Sequence, residues 1–367
     1  MKKRHYLLLV PVLVILCSCD PKDNEDSTPQ RLTGVEWVVH TEGELGLVQG
    51  DSAAIVSVDT DGNKWVFTRL GYIFRSTDGL NWIEIPAQNR ETTFPENDII
   101  YTWDMAIDRQ GRVWLATSIG LACFSGNRWD LFNSSNSPMP TNWVSCLLAD
   151  NTDRIWFSAG NHNEGGLMVL DKTAWTLFSP QNSALPSSFV CSINIDSSNV
   201  VWVGTENGLA RINGENWTIY DSSNSALTVG LLDSLASDSR GILFVGKSEG
   251  EASCMVHGLL ARFDGTNWSL LHPSDTEKVS DSVTALTVDY HDHLWVATAW
   301  AATPKGLNEC PAGLAMYNGE EWFVVSDLAA DFPQNGQYIS HMGVDKSNHL
   351  WFVKGDTGLI SLRPQLN

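Results

Sequence analysis

Apolar and polar positions alternate along this chain in short runs, and Gly, Asn and Asp break the runs at close intervals. Period-two alternation bounded by such breakers predicts strands joined by tight turns. No stretch carries the 3.6-residue period of a long amphipathic helix. The runs also come in sets. "MAIDRQGRVWLATSIGLACFSGNRW" (105–129) returns almost unchanged as "INIDSSNVVWVGTENGLARINGENW" (193–217).

Two spacings organise the sets. In the first, Asp59, Asp108, Asp150, Asp196, Asp238, Asp289 and Asp345 each precede an aromatic residue by six positions: Trp65, Trp114, Trp156, Trp202, Phe244, Trp295 and Trp351. Three residues after each Asp stand Gly62, Gly111, Asp153, Asn199, Gly241, Asp292 and Asn348, all residue types that tolerate a left-handed backbone. This predicts strand, Asp-capped turn, strand. In the second, Gly34, Gly79, Gly126, Gly214, Gly265 and Gly319 each precede a Trp by three, and Lys172 takes the glycine's place before Trp175. Several of these are Asn-Gly or Asp-Gly hairpin signals. Each unit is therefore four strands in roughly 42 to 56 residues. One such sheet cannot bury its own faces, whereas a ring of them can, so the expected fold is an all-β, seven-bladed β-propeller. The first Gly-x-x-Trp has no Asp turn before it, and the last Asp turn has no Gly-x-x-Trp after it. Val35–His40 is thus expected to be the outer strand of blade seven, beside Leu359–Leu362, closing the ring without open edges.

The residues Asp108, Gly111, Trp114, Thr117, Gly120 and Leu121 resemble the two-component regulator propeller repeat, D-x-x-G-x-x-W-x-x-T-x-x-G-L. Asp196, Trp202, Thr205, Gly208 and Leu209 match it with Asn199 for Gly, and "NSPMP" and "NSALP" fit its inter-blade segment. The resemblance spans about residues 34 to 363 and implies kinship with glycan-sensing ectodomains of Bacteroidetes hybrid sensor kinases. Those sensors carry tandem propellers, a β-sandwich, a membrane helix and a kinase. One propeller here implies binding rather than signalling by itself.

The first residues change the picture of where the protein works. Lys2, Lys3 and Arg4 precede an apolar run from Tyr6 to Leu16 and then "LCSC". Residues 1–18 resemble a bacterial lipoprotein signal peptide, with Cys19 the lipidated residue; an ordinary signal peptide or an anchor helix is the other reading. Residues 19–32 read as a flexible acidic tether, and residues 33–367 as the propeller. The acidic start after Cys19 resembles a surface-export signal. The expected location is the outer membrane, at the cell surface or facing the periplasm.

Without residues 1–18 the chain holds 20 basic against 43 acidic residues, a net of −23. That field excludes nucleic acid and leaves the lipid anchor as the sole membrane contact. No zinc spacing and no Cys-x-x-Cys occur, so neither metal nor cofactor is expected. Cys254 and Cys310 lie in long loops of neighbouring blades; a compartment outside the cytoplasm permits a disulfide between them, and two unpaired loop thiols are the other reading.

Loop lengths place the ligand. Asp turns and Gly-x-x-Trp hairpins fall on one face and hardly vary. The links between second and third strands fall on the other and lengthen in blades three, five and six, where binding on a rigid scaffold is expected. Seven residues before each repeat Asp lie Ser52, Tyr101, Trp143, Phe189, Leu231, Ser282 and Tyr338, with Trp103 close by and Trp300 in the blade-six loop. Tyr101, Trp103, Trp143, Phe189, Trp300 and Tyr338 are candidate stacking residues for a sugar or peptide, and His162, Asn163 and Glu164 candidate polar contacts. Packing at the channel mouth is the alternative role for the rings. His291 and His293 read as a solvated turn, and "STDGLNW" (76–82), which resembles an Asp-box but is one residue short, as a chance variant of the hairpin. The function expected is a lipid-anchored, non-enzymatic propeller that binds a glycan, a peptide or an outer-membrane protein partner. The alternatives are a polysaccharide lyase or glycosidase, for which Asp104, Glu164, Asp233 and His341 are the scattered acid–base candidates, and an assembly scaffold.

Overall fold

The computed structural model describes residues 30–94, 100–248, 258–299, 301–303, 306–310, 313–328, 339–354 and 358–367. Seven four-stranded antiparallel sheets form a β-propeller. Blade one runs Ala53–Val58, Lys64–Thr68, Ile73–Ser76 and Ile83–Ile85, and blades two to five repeat that meander as far as Leu271. Blade six is Val283–Val288, Leu294–Thr298, Gly313–Tyr317 and Trp322–Val324, with a two-stranded hairpin (Ala301–Thr303, Gly306–Cys310) inserted after its second strand. Blade seven takes Ile339–Val344, Leu350–Lys354 and Gly358–Leu366 from the C-terminal part and its outer strand, Leu32–His40, from the N-terminal part.

The closing register pairs Val35 with Pro364, Trp37 with Leu362 and His40 with Leu359, as the unpaired half-signals predict. The strand starts at Leu32, inside the segment read as tether, because Leu32 is itself buried in the core between blades six and seven. Gly34 sits at a register shift within this strand, so the first Gly-x-x-Trp is not a hairpin.

The Asp turns follow one plan. In blade two, Asp108 Oδ1 accepts from the backbone N–H groups of Gln110 (3.0 Å) and Arg112 (2.9 Å), while Oδ2 accepts from Trp114 Nε1 (2.9 Å). The same indole bond forms in the blades of Asp59, Asp150, Asp196, Asp289 and Asp345, at 2.9 to 3.0 Å. The six-residue spacing is therefore the reach of a carboxylate across its own turn to the ring on the next strand. Phe244 has no N–H, and there Arg240 supplies Asp238 Oδ2 through Nε (2.9 Å) and Nη2 (2.6 Å). All seven third positions after the Asp have φ between 61° and 87°. The seven rings are all buried, so each bond is made away from water.

The turns also join one another. Asp153 Oδ1 accepts from Arg109 N (3.1 Å), Asp292 Oδ1 from Ser239 N (2.8 Å) and Asn348 Oδ1 from Tyr290 N (2.9 Å). In each case the left-handed residue of one blade caps the turn of the blade before it. Side chains on the inner strands make a second ring of such links. Ser145 Oγ donates to Val190 O (3.2 Å), Ser192 Oγ to Leu232 O (2.6 Å) and Thr284 Oγ1 to Ile339 O (2.7 Å). Inner strands have an open edge toward the channel, and these bonds satisfy its polar groups.

Candidate ligand-binding face

The face opposite the Asp turns holds the inter-blade segments and the links between second and third strands. Its mouth positions are fixed by a repeated backbone bond. Arg69 N donates to Ser52 O, Ser118 N to Tyr101 O, Glu206 N to Phe189 O and Ala299 N to Ser282 O. In these four blades the residue seven before the Asp is thus tied to the link at the end of the second strand.

Five inner strands begin with a register shift, between Thr102 and Asp104 in blade two and between Ile339 and Met342 in blade seven. A bulge re-aims the extra side chain. Trp103 is the extra residue of blade two, and its ring lies between Tyr101 (centroids 6.2 Å, 18° between planes) and Trp143 (4.3 Å, 35°). Tyr101 is 59% and Trp143 44% exposed. The three rings form a partly exposed shelf across blades two and three.

One blade further round, His162 stacks on Phe189 at 4.4 Å and 22°. Its Nδ1 meets Glu206 Oε2 at 2.6 Å, and Ser187 Oγ donates to Glu206 Oε1 at 2.7 Å. Asn163 and Glu164 are exposed in the same blade-three loop, with Asn161 Oδ1 accepting from both of their N–H groups. Of the sequence-predicted residues, Tyr101, Trp103 and Trp143 come together as one group and His162 and Phe189 as another. Trp300, Tyr338, Cys254 and Cys19 lie outside the described residues, and Cys310 is placed as backbone of the blade-six hairpin. Glu206 and Ser187 escaped sequence reasoning. The two-residue link that carries Glu206 has no added length to mark it, and its pairing with His162 exists only once blades three and four are side by side.

The structure also gathers two of the scattered acid–base candidates. His341 Nε2 lies 3.5 Å from Asp104 Oδ1 across the channel, joining blades two and seven. Asp104 Oδ2 accepts from Leu147 N at 2.9 Å and Oδ1 from its own neighbour Met105 N at 2.8 Å, so this carboxylate is the blade-two counterpart of the serine links. Burial raises its pKa, and the nearby His341 partly opposes that. Burial also raises Asp233, which Ser248 N and Oγ hold. Among the described cysteines, Cys123 and Cys146 are pushed up to about 12 and Cys191 well above its ordinary value, all chiefly by burial, so none is a ready nucleophile.

On the opposite face Asp289, His291 and His293 lie together. The expected solvated turn holds for exposed His291 but not for His293, which is 3% exposed. The donors of a hydrogen-bond network occupy this cluster. Asp289 Oδ2 already accepts from Trp295 Nε1, is bonded to His293 Nδ1 (3.1 Å) and accepts from Asn348 Nδ2 (3.3 Å), which also reaches His291 Nδ1 (3.0 Å). Ser76–Trp82 folds as a self-capped turn in which Asp78 Oδ1 accepts from Leu80 N and Asn81 N. A cavity of about 370 Å³ lies at the seam of blades seven and one, lined by His40, Glu42, Leu45, Leu47 and Gly358 among others.

No known family profile matches the chain. No curated protein matches it either. Among solved structures, two similar ones are extracellular domains of hybrid two-component systems from B. thetaiotaomicron. One is 19% identical with a TM-score of 0.60, covering 90% of this chain and 39% of that one. The other is 16% identical with a TM-score of 0.63, covering 90% and 41%. This chain thus spans about two fifths of the length of those ectodomains. A third is a catalytically inactive virginiamycin B lyase from Staphylococcus aureus with quinupristin, 12% identical, TM-score 0.62, covering 89% of this chain and 98% of that one. At these identities the shared property is the propeller fold, which hosts both sensors and enzymes.

Proposed function

We propose that this protein is a lipid-anchored, non-enzymatic propeller that binds a glycan on its loop-bearing face at the outer membrane. The observation that carries the reading is the exposed stack of Tyr101, Trp103 and Trp143. Flat rings at a mouth suit the apolar faces of sugars, and hydroxyls find His162, Asn163, Glu164 and Glu206 alongside. The location rests on the signal-like start ending at Cys19 and on the extracellular sensor domains that share the fold. A glycan array with the mature chain tests the binding. Tyr101→Ala with Trp143→Ala is expected to abolish it, while His291→Ala on the far face leaves it intact; the reverse result places the site on the other face. Fatty-acid labelling that persists in Cys19→Ala would remove the anchor.

The pair of Asp104 and His341 favours one second reading, an acid–base enzyme working in the channel. New reducing or unsaturated ends released from polysaccharide by the wild type, and lost in His341→Ala, would establish it.

A further inference from the structure

Glu206 is fixed at both of its carboxylate oxygens and on its main chain. Oε1 accepts from Ser187 Oγ and Oε2 is bonded to His162 Nδ1, while the main chain is held through Phe189 O and Gly230 N. Ser187 is buried, and the His162 ring, itself 63% exposed, is stacked flat on Phe189. The Glu206 side chain is 22% exposed, and a carboxylate oxygen has lone pairs for more than the one bond each makes here. A preorganised charge of this kind recognises a donor without first losing its own rotamer freedom.

The surroundings set the sign of what it takes. Glu164 stands exposed in the neighbouring loop. Lys247 is buried and directs Nζ to Val229 O (2.6 Å) and Thr228 Oγ1 (3.2 Å). Asp233, beside it, is also an acid. The whole chain carries −20. Acids therefore dominate this part of the mouth, and such a field draws cations and repels anions. The shelf of rings one blade away offers a stacking surface to a flat apolar face of a ligand that also reaches Glu206. A sugar ring carrying an amine offers both, the ring face for stacking and the ammonium for Glu206. A uronate or sulfated sugar would set like charge beside a carboxylate that cannot move away.

We propose that Glu206, held by Ser187 and His162, makes this face selective for amine-bearing saccharides over acidic ones; the inference rests on the glycan-binding reading above. The experiment measures binding of glucosamine, N-acetylglucosamine and galacturonate oligomers by titration calorimetry. The wild type is expected to bind them in that order. Glu206→Gln keeps an acceptor for Ser187, and its melting temperature should be unchanged. It should lose about tenfold for the glucosamine oligomer, as a charge-assisted bond becomes a neutral one, and bind the acetylated oligomer within about twofold of wild type. An unchanged preference for the amine in Glu206→Gln overturns the inference, as does wild-type binding of galacturonate as tight as that of glucosamine. The Tyr101→Ala, Trp143→Ala double variant separates the two readings. If it binds all three oligomers like wild type, the shelf is not the site; if it binds none while Glu206→Gln behaves as wild type, the shelf stands and the charge selection falls.

Discussion

At the scale of the residue, six of the seven repeat aspartates use their two oxygens for two tasks. Oδ1 closes the turn, and Oδ2 receives the indole of the next strand. The turn was legible from the left-handed residue types at the third position. The indole bond was not, since spacing alone does not say which atom is satisfied. Trp202→Ala is expected to cost about 3–5 kcal/mol, the range for deleting a buried aromatic. Trp202→Phe keeps most of the volume but leaves Asp196 Oδ2 without its donor, and about 1.5–3 kcal/mol is expected; a denaturant melt separates the two. Acid acts through the same carboxylates. Burial alone would raise Asp59, Asp150, Asp289 and Asp345, but the side-chain bonds and turn amides win and lower all four. A lowered carboxylate stabilises the fold fully above the unfolded value of about 3.9 and loses that contribution as pH falls from there through the lower folded value. Asp104 and Asp233 are raised and run the other way, their penalty easing as they take up protons. Burial lowers His40 and His349, so the fold also loses stability as pH drops below about 6.5. Stability measured by urea titration should therefore decline gently from pH 6.5 and steeply below pH 4. A fold more stable at pH 4 than at pH 7 would contradict this balance.

At the scale of the element, blades are repeats that differ in how they hold their neighbours. Asn199 and Asn348 look alike in the sequence, and both adopt left-handed φ, 62° and 61°. Only Asn348 caps the turn of the preceding blade and contacts Asp289 and His291. Glycine keeps the backbone of either site. Asn348→Gly is therefore expected to cost about 1–2 kcal/mol for the lost inter-blade bonds, and Asn199→Gly to stay within about 0.5 kcal/mol of wild type. Equal melts for the two variants would show that the bonds between turns contribute nothing. The hairpin tryptophans differ in the same way. Trp129 is 1% exposed beneath Phe67, Phe94 and Phe124, whereas Trp217 and Trp268 are half-buried. Strand periodicity and turn residues report local conformation, so they predicted the hairpins well. What covers a ring depends on the adjacent blade, which no local pattern reports.

At the scale of the whole molecule, the ring itself creates the features that sequence could not place. Asp104 meets His341 and His162 meets Glu206 only because distant segments are brought round one axis. The aromatic mouth was legible because equivalent positions recur in every blade, whereas polar partners from neighbouring blades do not recur. Closure was legible too, as two half-signals that complete each other, and it carries the strongest test of the architecture. Val35, Trp37 and Val39 pack against a core that includes Phe352, Ile360 and Leu362. Deleting residues through His40 would uncover that core and leave Gly358–Leu366 as an open edge, a template for pairing between chains. The truncated protein is expected to aggregate on refolding, with no cooperative melt. Moving the strand instead of losing it distinguishes closure from a mere loss of sequence. Leu32 pairs with Leu366, and Asn367 N donates to Arg31 O at 3.2 Å, so a short turn after Asn367 can lead straight into Leu32–His40 as a hairpin. The permuted chain should then regain the wild-type melting temperature and elute like the wild type in size-exclusion chromatography. If the truncated chain melts like wild type, or the permuted one still aggregates, the N-terminal strand is not what closes the ring.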